Sequence, residues 1–220
     1  MATQYYNAVA HNTTPFVTVY GQDGDVSTKI ADPSVLPAGI GRGASWSPGA
    51  EYLAVAHHVS PFITVYKRTA DVLTKIANPS TLPTNLALGC AWSADGVYLS
   101  VAHVSSPYLT VYKMGAGDVL TKIANPSTLP TGHGNATSWS GDGVYLSVAH
   151  TTSPYLSVYK MGAGDVLTEI ADPATLPTGT GRGAAWSTDS VYLAVGHSNS
   201  PNVSVYKRAG DVLTKIADPS

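Results

Sequence analysis

The sequence predicts an all-β protein, a five-bladed β-propeller, and three observations carry the prediction. First, one block of residues recurs along the chain: His11, His57, His103, His150 and His197 lie 46, 46, 47 and 47 residues apart, and Tyr20, Tyr66, Tyr112, Tyr159 and Tyr206 follow the same spacing. Second, each block holds short β-branched and aromatic runs divided by turn residues. Third, the blocks are joined by crossings of constant length, since Ile30 to Trp46, Ile76 to Trp92, Ile123 to Trp139 and Ile170 to Trp186 all span 16 residues. Four-stranded antiparallel units repeated at this period are the signature of a propeller.

In the second block, strand a is GASWS, small residues around Trp46 that suit a crowded axis. A hairpin turn follows, reading Ser-Pro-Gly-Ala here and Ser-Ala-Asp-Gly in its sister, and leads to strand b, YLAVAH. Pro61 stands at or just before strand c, FITVYK, where a missing N–H is tolerated. Strand d is VLTKIA, and NPSTLPTNLALG crosses to the next block. The tryptophans should then point into the cores between blades. Residues 1–220 form one domain, with blades at about 4–31, 42–77, 88–124, 135–171 and 182–217. The first block has no strand a, so the first blade lacks its innermost strand.

The run SADGVYLSVAH followed by PYLTVYK resembles the blades of WD-repeat propellers, and the SPFITVYK flavour is similar to repeats of bacteriophage virion proteins. The resemblance covers the whole chain, although Tyr-Lys stands where the Trp-Asp dipeptide would be. It implies the propeller fold and a place in a phage or phage-like particle.

Composition narrows the partners. Charged residues make up 12% of the chain, against about 25% in an ordinary domain, and the net charge is -2 without a basic run. Nucleic acid, which is bound by neutralising phosphates, is not an expected partner, and no segment is long and apolar enough to enter a membrane. The N-terminal MATQYYNAVAH has no basic region before an apolar stretch, so a soluble protein without a signal peptide is expected, virion-associated or on an outer surface. The single cysteine, Cys90, reads as a small buried filler on strand a.

Almost every charge belongs to the repeat. The acids open strand d, precede the crossing proline or sit in the a–b turn, where Asx hydrogen bonding explains them. The lysines recur on strands c and d. The five histidines end strand b at one place per blade, too dispersed for one metal ion, and are expected to bond a turn backbone or a neighbouring hydroxyl. Residues that escape the repeat are Arg42, His58, His133, Asn135 and Arg182, all in the crossings, the b–c turn or the mouth of strand a. They form the candidate binding face; no catalytic residue, cofactor or metal is expected.

The reading that follows is a non-enzymatic structural or adhesive module, with a lectin-like carbohydrate-binding propeller as alternative and a propeller hydrolase or lyase as a further one. The missing strand leaves Tyr5, Tyr6, Asn7, Ala8 and Val9 with an unpaired edge. Strand addition by another protein or a neighbouring subunit is expected there, giving an oligomer or a larger particle.

Overall fold

A computed structural model of the chain describes residues 5–218. They form five antiparallel sheets, the first of three strands and the others of four. The first sheet is β1 (Tyr5–Ala10), β2 (Val17–Asp23) and β3 (Val26–Lys29); the second is β4 (Gly41–Trp46), β5 (Tyr52–His57), β6 (Ile63–Thr69) and β7 (Val72–Lys75). The third is β8 (Ala87–Trp92), β9 (Tyr98–His103), β10 (Leu109–Gly115) and β11 (Val119–Lys122). The fourth is β12 (Gly134–Trp139), β13 (Tyr145–His150), β14 (Leu156–Gly162) and β15 (Val166–Glu169), and the fifth is β16 (Gly181–Trp186), β17 (Tyr192–His197), β18 (Val203–Ala209) and β19 (Val212–Lys215). The five-bladed propeller with a three-stranded first blade is thus the observed fold. No helix among the described residues is long and apolar enough to cross a membrane.

Strands β4, β8, β12 and β16 pack on one another, whereas the fourth strands of neighbouring blades do not, which puts strand a at the axis. Small residues make this possible: a Cβ on Gly43 would lie 3.2 Å from the Gly89 Cα, and one on Gly89 would lie 3.2 Å from the Ala136 Cα. A solvated antiparallel sheet alternates apolar and polar residues, yet YLSVAH is buried along both faces because each inner blade is covered on both sides.

Each core lies between two blades. Leu53, Val55, Tyr66 and Leu73 of the second blade meet Val17, Val19 and Ile30 of the first. The opposite face, Ala54, Ala56, Ile63 and Val65, meets Trp92, Leu99 and Tyr112 of the third. Two further cores join the third blade to the fourth and the fourth to the fifth. Among the described residues no such core joins the fifth blade to the first. Val203 is accordingly 39% exposed, while its counterparts Ile63, Leu109 and Leu156 are each 1% exposed. Among the described residues the blades pack at four joints, and β1 pairs with β2 while its inner edge has no partner.

The tryptophans enter these cores as expected, but they differ in one bond. The Trp139 Nε1 donates to the Ser100 Oγ at 3.1 Å, whereas the indole nitrogens of Trp46, Trp92 and Trp186 are buried without an acceptor. Trp92 faces Ala54, which holds the place of Ser100 in the second blade. Ser147 holds this place opposite Trp186 yet leaves that nitrogen unbonded, whereas the Ser100 Oγ also accepts from the Thr137 Oγ1 at 2.9 Å, so Ala54→Ser combined with Cys90→Thr should supply the missing acceptor and stabilise the protein by about 1 kcal/mol. A rise in the urea midpoint measures it, and a fall would show that the pocket has no room for the hydroxyl.

Lys67, Lys113, Asp118 and Asp165 do more than the exposed-edge and turn roles their repetition suggests. The Tyr52 hydroxyl donates to Asp118 at 2.5 Å and the Lys67 Nζ donates to the same carboxylate at 2.9 Å, so one aspartate clasps the rim of the preceding blade. These partners also hold the Asp118 carboxyl below its ordinary range, the tyrosine hydrogen bond being the larger cause. The sequence shows each residue repeating but not that the repeats meet across a blade boundary.

Candidate functional site

The axial ends of the inner strands carry the polar residues that escape the repeat. Each strand a has a β-bulge next to its first residue: Gly41 pairs with His57 and Gly43 with Ala56, leaving Arg42 outside the ladder. The same irregularity leaves Leu88, Asn135 and Arg182 unpaired in the other blades. A bulge re-aims the extra side chain and is a common device beside functional sites. The variable residues of the mouth are thus the residues that the ladder releases, a regularity invisible in the repeat itself.

Of the residues expected at the binding face, the structure brings Arg42 and His58 into contact, with the Arg42 Nε donating to the His58 Nε2 at 2.5 Å. Burial and then the adjacent guanidinium lower the His58 pKa, so its imidazole is neutral at physiological pH. The His58 N–H donates to the Ile40 carbonyl at 3.2 Å, which fastens the b–c turn to the crossing. The Thr151 N–H does the same to the His133 carbonyl at 3.1 Å, and these segments open on one face as expected.

His133 itself is exposed, with its ring centroid 6.1 Å from that of Tyr108. Asn135 is committed to architecture, donating to the Gly181 carbonyl of the next blade at 2.7 Å. Arg182 is exposed and has no hydrogen-bond partner among the described residues. The expected group is therefore one contacting pair, Arg42 with His58, and three residues spread along the same mouth.

The repeated histidines are engaged elsewhere through Nε2, although the Nδ1 atoms of His57 and His150 are buried without a partner. His57, His103, His150 and His197 each contact a buried hydroxyl through Nε2, at 2.9 Å to Thr64, 3.0 Å to Thr110, 3.2 Å to Ser157 and 3.1 Å to Ser204. No three His, Cys, Asp or Glu side chains converge as metal donors among the described residues. Cys90 is a buried filler whose thiol is pushed up to about 12 by desolvation.

A second departure from the repeat is visible in the sequence, where it reads as a solvated face residue. Glu169 stands where the sister blades place a lysine that bonds Asp32, Asn78 or Asn125. In the fourth blade this position and Asp172 are both carboxylates, and burial raises the pKa of each. Two clefts lie on the outer rim, about 400 Å³ beside Lys67, Lys75 and Asp118 and about 310 Å³ beside Asp172 and Asp211. Both are outer-rim seams between blades, so the bulged mouth holds the residues with chemistry and the seams hold the volume.

No protein-family profile matches the chain, and no curated protein matches it. Solved structures do. A periplasmic gluconolactonase of Pseudomonas aeruginosa matches with a TM-score of 0.71 and 20% identity, over 96% of this chain and 67% of that one. A protein from Lactobacillus plantarum matches with a TM-score of 0.74 and 16% identity, over 97% and 66%. A candidate 6-phosphogluconolactonase from Bacteroides fragilis matches at 0.68 and 16%, over 95% and 65%. The chain spans about two thirds of the length of each.

These matches support a propeller but neither the WD-repeat type nor virion association. They also correct the expectation of a non-enzymatic structural or adhesive module, because blades in this arrangement serve as a hydrolase scaffold in the gluconolactonase. That expectation rested on the lack of a central constellation of non-repeated acids, His or a metal, with Arg42 and His58 assigned to binding loops. Attack on an activated ester needs less, a fixed cation and a neutral base, and Arg42 with His58 is such a pair hidden among loop residues. At these identities the likeness establishes the fold of this chain.

Proposed function

We propose that the chain is a propeller hydrolase of the lactonase type, opening the ring ester of a sugar lactone at the mouth where the bulged residues emerge. The observation that carries this reading is the Arg42–His58 pair, a cation held against a neutral imidazole at the axial end of an inner strand. Hydrolysis adds water to the lactone carbonyl, breaks the acyl–oxygen bond and leaves a hydroxy acid. Negative charge grows on the carbonyl oxygen in the tetrahedral intermediate, and a positioned guanidinium stabilises it.

When that oxygen replaces the imidazole as acceptor for Arg42, the His58 Nε2 becomes available to take the proton of the attacking water. The same proton then passes to the ring oxygen as it leaves. Arg182, without a partner among the described residues, suits an anionic substituent such as a sugar phosphate, which a guanidinium binds in bidentate fashion.

The test follows acid release from glucono-1,5-lactone and its 6-phosphate against the spontaneous rate. Saturable acceleration is expected. Arg42→Gln should lower kcat/KM roughly a hundredfold, and Arg182→Gln should raise KM for the phosphorylated substrate alone. Turnover no faster than buffer, including the case of sugar bound without hydrolysis, would overturn the reading.

A further inference from the structure

In four blades the outer strand ends on a cation held by oxygens. Lys29 bonds the Asp32 carboxylate at 3.0 Å, Lys75 bonds the side-chain oxygen of Asn78 at 2.7 Å, Lys122 bonds that of Asn125 at 2.6 Å, and Lys215 bonds Asp218. Lys75 and Lys122 also donate to the carbonyls of Ile76 and Ile123, one residue on. The ammonium thus ties the end of the strand to the start of the crossing three residues later, and the two side chains meet at one spot in each of these blades.

The fourth blade keeps the oxygens without the lysine. Glu169 stands at the lysine position, Asp172 stands three residues on, and neither carboxylate has an ion-pair partner among the described residues. Glu169 pairs across the strands with Tyr159, which sets the two side chains on one face with their Cβ atoms about 5 Å apart. Tyr159 is fully buried and its hydroxyl has no hydrogen-bond partner, whereas Tyr66 and Tyr112 donate theirs to the carbonyls of Val35 and Thr81. Burial and then the Glu169 charge raise the pKa of that hydroxyl, with a smaller contribution from Asp172, so it stands within reach of both carboxylates. The Tyr206 hydroxyl is also unpartnered, but there Lys215 supplies the cation. Burial is the main cause that raises the pKa of each carboxyl, and the Asp172 charge adds to it at Glu169, while the Ser157 hydroxyl opposes it. Two like charges therefore share a partly desolvated spot, and Asp172 opens it to solvent through the cleft of about 310 Å³ between the fourth and fifth blades.

We infer that Glu169 and Asp172 hold a hard divalent cation, of which calcium is the type, at the spot where the sister blades hold a lysine ammonium. The donors on hand are all oxygen: the two carboxylates and the Ile170 carbonyl, which corresponds to the Ile76 and Ile123 carbonyls that face the ammonium. Water completes such a shell, and the Tyr159 hydroxyl is placed to bond it. An oxygen set on a flexible crossing suits calcium better than magnesium, which demands a strict octahedron, or zinc, which prefers nitrogen and sulfur. Charge selects the valence. Lys29 with Asp32 and Lys215 with Asp218 balance to zero, and only a doubly positive ion restores that balance against two carboxylates. The ion then does in the fourth blade what lysine does in the others, fastening β15 to the crossing that leads to β16.

Calorimetric titration of the full chain with calcium chloride, in a background of sodium chloride at neutral pH, tests this. One saturable site per chain is expected, with a Kd on the order of 10⁻⁴ to 10⁻³ M. Calcium should also raise the urea midpoint. Glu169→Lys should abolish both effects, and because it recreates the Lys215–Asp218 arrangement of the fifth blade it should fold at least as stably as the calcium-free wild type. Asp172→Asn should weaken binding about tenfold by removing one ligand charge. No saturable binding in the millimolar range, undiminished binding by Glu169→Lys, or a stabilisation that sodium chloride of equal ionic strength reproduces would overturn the inference.

Discussion

Trp139→Ala is expected to destabilise the protein by about 3–5 kcal/mol, the cost of removing a large buried aromatic and leaving a cavity. Trp139 is 7% exposed, its ring lies 5.7 Å from that of Tyr98 in a stacked arrangement, and its nitrogen bonds Ser100. The substitution therefore empties the joint between the third and fourth blades and removes one of the hydrogen bonds at the buried Ser100 hydroxyl, which keeps the Ala91 carbonyl and the Thr137 hydroxyl. The same change at Trp186 should cost less, because that side chain is only partly buried and its nitrogen has no acceptor to lose. Urea unfolding of the two variants measures the difference. Equal costs, or a loss below about 1 kcal/mol at Trp139, would mean that the inter-blade joints do not carry the stability.

Acidification is expected to remove more. Burial lowers the pKa of His57, His103 and His150 to about 4 in each case. In the unfolded chain they titrate near 6.5. Between those values the unfolded state binds protons that the native state refuses, so stability rises with pH through that window and is lost as pH falls through it. A full shift corresponds to on the order of 3 kcal/mol per histidine. Asp118 and Asp142, with lowered pKa values, act in the same direction at lower pH. Glu169 and Asp172, with raised values, oppose it. Unfolding midpoints at neutral pH and near pH 4.5 should differ strongly, and His103→Gln should flatten that difference by one proton. A midpoint independent of pH would show that the imidazoles are solvated.

Most of the fold was legible in the sequence because a repeat supplies its own controls. Strands b and c follow from residues that recur at one position per block, such as His103 and Tyr112, whereas the choice of Thr110 rather than a turn carbonyl as the His103 partner needed the structure. The exposure of the fifth blade was not legible. Tyr192 and Val203 look like their buried counterparts Tyr145 and Leu156, and whether a core position is covered depends on the turn from blade to blade, which no residue type encodes. The candidate site was legible only in part. Arg42 and His58 stood out singly as departures from the repeat, but their contact depends on the bulge that frees Arg42 and on the b–c turn folding over the crossing. The clasps were missed for a related reason: an aspartate that repeats looks like a turn former until the neighbouring blade is in place.

Among the described residues no packed joint links the fifth and first blades, and this shapes how these five blades form. A closed ring requires the two ends of the polypeptide to find each other, and the entropy of that search must be met before any contact rewards it. Here each blade packs only on the one before it and the one after it, so the chain behaves as a one-dimensional array. Every joint can form once the next 46 to 47 residues are available, in the order in which a ribosome releases them. Folding can then advance blade by blade from either end or from the middle, without waiting for a final closure.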